Sequence, residues 1–210
     1  MNFLLIINNL IRFNKKDIDK GNTPLELYKI CSCIREMFCL SYAIRKENNI
    51  FLFFQNELIL IKFVGTKLKY LGPDERSQTM LILKALDKTN YLENENWTRS
   101  TPGIYVRKFS SYNSFINYFK SLESFNPIFI TNYIDNQEVN PSFTLKKFEL
   151  LDNLSEFFYI IPLYNIAIED PTFFESFRDL KGIKFLTLSK INRIENIFLY
   201  INFRLDLSRR

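Results

Sequence analysis

An α/β fold with a largely parallel sheet is predicted by two features of the chain. Short continuous apolar runs alternate with segments of helical periodicity, and one run, "EFFYIIPL", lacks the polar alternation of a half-exposed strand, as a strand covered on both faces requires. The 210 residues, 47% hydrophobic and 24% charged, suit one domain of soluble composition that buries a core without metals or disulfides. No internal repeat and no linker interrupts it, so residues 1–210 are read as a single domain.

The elements follow in order. Phe3 to Ile7 reads as a buried strand and "NKKDIDKGN" as a polar loop. Thr23 supplies an N-cap, Pro24 the first helical position and Glu26 the acid three residues after the cap. Leu27, Ile30, Ile34, Met37 or Phe38 and Ser41 then repeat at helical spacing, and Arg45-Lys46 complement the dipole at the far end, which predicts a helix of about five to six turns. Residues 50–54 and 57–64 form a hairpin turning at Gln55-Asn56. The "GPDERS" loop leads into a helix from about Ser77 to Leu86. "GIYVRKF" is a strand, Ser110 or Ser111 caps a helix carrying Phe115, Ile116, Phe119 and Leu122, and "PIFITNYI" is an apolar strand. "NQEVNPSFTLKKFELLDN" is open between a short helix and irregular structure. Asp170-Pro171 with Glu175 starts a helix that Gly182 stops, "IKFLTL" is another buried strand, and "INRIENIFLYINFRL" closes the chain as an amphipathic helix.

Composition narrows the chemistry. A net charge of +5 and a pI near 9.0 are compatible with a polyanionic partner. Histidine is absent, which excludes His-based triads, His-ligated zinc and imidazole acid/base catalysis. Any reaction must therefore use carboxylates, Arg, Lys, Tyr, Ser or a reactive cofactor. Cys31, Cys33 and Cys39 form no CxxC pair, so buried packing is their expected role rather than a disulfide framework or a metal site. The 22 Phe and 11 Tyr residues should fill the core and leave some rings to stack on a ligand. "MNFLLIINNLIRF" is too short for a membrane span and lacks a basic n-region and cleavage site, so a cytosolic protein is expected.

"LYKICSCIREMFCLSYAIRKENNIFLFF", followed by "GTKLKYLGPDERSQTMLILKAL" and, one short insert later, by "TPGIYV", resembles the archaeal tRNA pseudouridine N1-methyltransferases of the SPOUT superfamily. Order, spacing and identities agree over residues 25–106: a helix with a Cys-rich middle and a Ser-x-x-Ile-Arg ending, a hairpin, a Pro-Asp-Glu-Arg-Ser loop and a Pro-Gly-Ile-Tyr-Val strand. The resemblance implies a SPOUT-type sheet with helices on both faces and a C-terminal trefoil knot, a departure from the general avoidance of knots. It further implies S-adenosylmethionine held in the knot loops, a homodimer with its site at the subunit interface, tRNA modified in the T-arm, a cytoplasmic location and no metal.

The implied catalytic residues are Asp74, Glu75 and Arg76: a carboxylate to accept the N1 proton or orient a flipped base, and an arginine to hold a phosphate. From spacing alone the same run reads more readily as a helix N-terminus with Ser77 as its cap, and it is the resemblance that favours the catalytic role. The implied cofactor contacts are Ile130, Ile161, Pro162, Thr187, Leu188, Ser189, Lys190, Ile191, Asn192 and Ile197. The family's first knot loop is approximately Leu-Gly-Asp-His, here Ile161-Pro162-Leu163-Tyr164; its second is approximately Ser-Leu-Gly-Pro, here Thr187-Leu188-Ser189-Lys190. Both glycines are missing, and Pro162 removes a backbone donor. A cysteine usual in the last helix stands here as Ile197 or Phe198.

Arg45, Lys67, Lys69, Tyr70, Arg107 and Lys108 would form a basic, aromatic rim for tRNA, or else are solvated strand and helix ends. Two functions follow: an active methyltransferase, or a degenerate homologue that dimerises and binds RNA without transferring a methyl group. A ribosomal-RNA branch of the superfamily ranks below both, because the two motif blocks suit the tRNA branch better.

Overall fold

The computed structural model describes residues 1–92, 95–122, 126–131, 153–188, 191 and 193–208. Its strands are β1 (Asn2–Ile7), β2 (Asn49–Phe54), β3 (Ile59–Val64), β4 (Thr98–Thr101), β5 (Ile104–Lys108), β6 (Pro127–Thr131), β7 (Phe158–Pro162) and β8 (Lys184–Thr187). They form one sheet in the order β4-β5-β3-β2-β1-β7-β6-β8. Strands β2, β1, β7, β6 and β8 run parallel; β3, β5 and β4 add an antiparallel flank. The ambiguous segment 136–153 lies outside the described residues except for its last position.

Helices cover both faces, which is why the parallel strands carry no polar alternation. On one face α2 (Leu25–Phe38), α3 (Glu75–Leu86) and α7 (Ile194–Ser208) pack their apolar stripes on Phe3, Leu5, Leu52, Ile61, Tyr159 and Ile161. On the other, α4 (Tyr112–Lys120) and α6 (Pro171–Arg178) pack on Leu4, Ile6, Phe51, Phe53, Phe129 and Ile160. The excess of phenylalanine fills this second layer. Phe53 stacks on Phe115 at 3.6 Å between centroids, and Phe115, Phe119, Phe173 and Phe177 interlock around it. Two short helices, α1 (Lys15–Asp19) and α5 (Ile166–Glu169), are the remaining α-helices among the described residues. No described helix is long and apolar enough to cross a membrane.

Four local expectations change. The "NKKDIDKGN" loop contains α1, closed by a capping box in which Asn14 accepts from Lys16 and Asp17 and Asp17 accepts from Asn14. β4 is an edge strand of the polar sequence "TRST", which no hydrophobic period marks. α2 begins one residue late, with Pro24 at the N-cap and no side-chain cap from Thr23. It also ends at Phe38 after 14 residues, about four turns rather than five to six, so Ser41 and Arg45 leave the helix.

The early stop of α2 has a tertiary cause. Two buried amides take its last carbonyls: Asn48 Nδ2 donates to Met37 O at 2.8 Å and Asn202 Nδ2 to Glu36 O at 3.0 Å. Asn48 also donates to Asn202 Oδ1 at 3.0 Å, so the α2 terminus, the entry to β2 and α7 share one network. Arg45 closes its edge with a bidentate pair to Asp206, both contacts 2.7 Å. Replacing Asn202 with Leu removes an acceptor from Asn48 and a donor from Glu36 O in a fully buried site. Asn202→Leu is expected to cost about 2–4 kcal/mol, read in urea as a lower midpoint at unchanged slope.

Candidate functional site

The starts of β1 and β2 and the end of β3 lie together, Asn49 being opposite both Asn2 and Val64, and they define the amino edge of the parallel strands. Loops 39–48 and 65–74 both sit there. Gly65 has no room for a side chain: a Cβ would come within 2.4 Å of Asn48 O and 2.6 Å of Lys46 O. Gly103, at φ +82°, presses on the other loop, where a Cβ would meet Leu68 N at 2.5 Å. Cys39 Sγ reaches Gly72 O at 3.8 Å. The motif segments of residues 25–106 are therefore neighbours in space, and close backbone approaches explain the glycine of "TPGIYV".

Within "GPDERS" the cap is Asp74 rather than Ser77, and α3 starts two residues earlier than its apolar pattern suggests. Asp74 Oδ1 accepts the Ser77 N–H at 2.8 Å, Ser77 Oγ accepts the Gly72 N–H at 2.9 Å, and Gln78 Nε2 donates to Gly72 O at 3.1 Å. Arg76 pairs with Asp19 at 2.6 Å on the exposed surface, a contact that stabilises little and can be exchanged for a phosphate. Glu75 is half-buried in the first helical turn and has no hydrogen-bond or ion-pair partner among the described residues. Local structure thus accounts for Gly72, Asp74 and Ser77 and leaves the Glu75 carboxylate unengaged.

The predicted basic rim is divided. Lys67, Lys69 and Tyr70 are exposed on the amino edge beside this loop. Arg45 is near them, but its guanidinium is bound to Asp206 and its side chain is only 13% exposed. Arg107 and Lys108 stand opposite Leu60 and Ile59, toward the far edge of the sheet. Arg107 lies over the rings of Phe109 and Tyr118, 4.6 and 4.9 Å from their centroids, and faces Glu95 at 3.5 Å. The serine hydroxyl and N–H of Ser110 hold the Glu95 carboxyl down at about 2, so this cluster is a packed structural unit.

Of the implied cofactor contacts, Ile130 and Pro162 stand at the carboxyl ends of β6 and β7 and Leu188 directly follows β8, the edge where open parallel sheets bind ligands. Ile130, Ile161, Leu188 and Ile197 are buried in the first layer, Ile191 packs against it, and Pro162 is buried at the end of β7. Ser189, Lys190, Asn192 and the Thr187 side chain lie outside the described residues. Leu163 N–H already donates to Ile6 O at 2.8 Å and Pro162 has no donor, so the first loop offers an apolar seat and few polar contacts. The described residues fit the apolar side of an adenosyl group. They do not supply the hydrogen bonds its polar edge requires.

Beside that seat, the ends of β1 and β7 open a cleft of about 360 Å³ lined by Asn8, Leu10, Lys29, Leu163 and Tyr164. The Tyr164 phenol donates to Gln55, and Gln55 donates to the Asp170 carboxylate. Burial, with Asp170 and Glu169 nearby, pushes the Tyr164 phenol up. Gln55, in the hairpin turn, is 1% exposed. Turn position hid it, and only tertiary packing reveals it.

The two halves of the predicted site are far apart in one chain. α3 packs over β4 and β5, whereas β6 and β8 lie five to seven strands further along the sheet. At about 4.8 Å per strand the separation across the sheet is roughly 24–34 Å. Between them, α2 and α7 pack together and expose Leu25, Tyr28, Leu199, Phe203 and Leu207. The last three follow a four-residue spacing, with 49%, 56% and 44% of their surface in solvent.

Residues 12–147 match the family model described as "Putative SAM-dependent RNA methyltransferase". The chain is 42% identical over 101 residues to a tRNA (pseudouridine(54)-N(1))-methyltransferase of Methanocaldococcus jannaschii, a match covering 45% of this chain and 48% of that protein. It is 42% identical over 81 residues, 37% of each chain, to the protein of that name from Methanosarcina acetivorans. A third, from Haloferax volcanii, is 34% identical over 96 residues, covering 46% of this chain and 47% of the relative. The chain spans about half the length of the curated relatives it matches.

Proposed function

The chain belongs to the family of SAM-dependent RNA methyltransferases that this model describes, and from that premise we propose that it methylates N1 of a pseudouridine in the T-arm of tRNA. The observation that carries the reading is the Asp74–Ser77 turn, which positions one unengaged carboxylate, Glu75, next to exposed lysines and an exposed tyrosine. Methyl transfer of this kind needs no metal and no covalent enzyme intermediate; it needs alignment and a proton acceptor. S-adenosylmethionine, when bound, supplies the electrophilic methyl group. Glu75 takes the N1 proton, Arg76 exchanges Asp19 for a backbone phosphate, and Asp74 holds the turn that aims both.

A homodimer is part of the proposal. The strand spacing keeps Glu75 away from the Ile130, Leu188 and Ile191 seat of its own chain, so a second copy brings its seat to this edge. The exposed α2 and α7 stripe is the face assigned to that pairing. A SPOUT-type knot fits the same reading: β7 lies between β1 and β6, the strand before it in the chain, and α7 returns from edge strand β8 to pack on α2. A cytoplasmic location follows from a tRNA substrate.

The test is methyl transfer from radiolabelled S-adenosylmethionine to tRNA carrying or lacking the pseudouridine. Label incorporated only into the pseudouridine-containing tRNA is expected. A folded protein that neither incorporates label nor gives heat on titration with the cofactor would overturn the assignment.

A further inference from the structure

Loops 39–46 and 68–73 face each other across a groove of about 540 Å³ at the amino edge, and Pro73 joins it to the turn that carries Glu75. Its lining is unusual for an exposed surface. Tyr42 is 103% exposed, Tyr70 75% and Leu40 46%, three of the ten large apolar side chains left in solvent among the described residues. Tyr70 has φ +68°, a left-handed conformation uncommon for a bulky residue, which turns its ring outward from the loop.

Charge adds a second, independent observation. Lys46 lines the groove, and Lys67 and Lys69 flank it; all three are exposed, and none has an ion-pair partner among the described residues. Of the carboxylates around it, Asp74 is engaged in capping α3 and Glu36 pairs with Arg35. The two walls are held together where Gly65 meets the 45–48 backbone and Gly103 meets Leu68, so the groove is preformed rather than assembled on binding.

Exposed rings on a fixed groove with unpaired lysines at its rim are the combination that binds single-stranded nucleic acid: rings take base faces, cations take the backbone. Resting on the RNA methyltransferase reading above, we propose that this groove holds an unpaired nucleotide adjacent to the one modified. Its base stacks on Tyr42 and Tyr70, and Lys46, Lys67 and Lys69 meet the neighbouring phosphates. The substrate class is thereby narrowed to RNA presenting at least two unstacked nucleotides, as a loop does and a continuous duplex does not.

The test is fluorescence anisotropy with a fluorescein-labelled T-arm hairpin and a blunt RNA duplex of equal length, each titrated at several salt concentrations. Tyr42→Ala and Tyr70→Asn are each expected to weaken hairpin binding about 5–100-fold with little change in salt slope, and to leave duplex binding unaltered. Asparagine tolerates the left-handed conformation, so Tyr70→Asn removes the ring and keeps the loop. Tyr70→Phe, which keeps the ring, should bind as wild type does. Lys67→Gln should reduce the salt slope by about one instead.

Wild-type affinity of both ring-removing variants, in a protein that still methylates tRNA, overturns the groove assignment and leaves the enzymatic reading standing. Equal weakening for hairpin and duplex also overturns it, as does conversion of the protein to monomer by the tyrosine changes, which would make the groove a self-association surface. Absence of both RNA binding and methylation in the wild type removes the enzymatic reading itself.

Discussion

Glu75→Gln is expected to lower kcat for methyl transfer by about 10²–10⁴-fold, the range for a lost general base, with tRNA affinity nearly unchanged. Asp74→Asn is expected to change it far less. The two acids are adjacent in sequence and different in situation. Asp74 has one oxygen on the Ser77 N–H at 2.8 Å and sits in the N-cap position, where asparagine serves as well as aspartate. Glu75 is half-buried and meets no donor among the described residues, so its lone pairs are available to a substrate proton. Asp74→Ala, unlike Asp74→Asn, removes the cap and should destabilise the protein by about 1 kcal/mol. Single-turnover rates and urea unfolding on the three variants separate chemistry from folding. The reverse ranking, with Asp74→Asn inactive and Glu75→Gln active, would assign the base to Asp74.

What could be read from the chain depended on whether a signal was local. The buried strands β1, β2, β7 and β8, the Ser111 cap and the Asp170-Pro171 helix start announce themselves through apolar runs and capping chemistry that act within a few residues. The length of α2 does not. Its pattern continues through Ser41, but Asn48 and Asn202 take its last carbonyls, and one of those residues lies far along the chain. That error also hid Tyr42, placed on a helix when it stands on a groove wall. The "GPDERS" run illustrates the converse. Its residue types pointed correctly to one compact turn, yet which acid caps and which is unengaged depends on hydrogen bonds to Ser77 and Gly72, not on composition. The basic rim divided for a similar reason: register places Arg107 and Lys108 beyond the reach of Lys67 and Lys69.

The separation of Glu75 from the apolar seat leads to the second large effect. Phe203→Asp places a charge in the middle of the Leu199, Phe203 and Leu207 stripe, where the α7 backbone and the buried face opposite are untouched. It is expected to give a folded monomer by sedimentation and to abolish methyl transfer, because a charge buried at a self-complementary face is repeated on both copies. Loss of activity alone would not distinguish a site shared between copies from a monomer that is simply inactive. Mixing two inactive homodimers does. Glu75→Gln lacks the acid and Ile191→Arg fills the seat; if acid and seat come from opposite copies, half of the randomly reassorted dimers carry one complete site. Unfolding and refolding the mixture should then restore about a quarter of wild-type activity, as two-fold symmetry requires. If both groups act within one chain, each heterodimer carries one defect per chain and no activity returns. Recovery near a quarter therefore requires a shared site, because no rearrangement within one chain produces it.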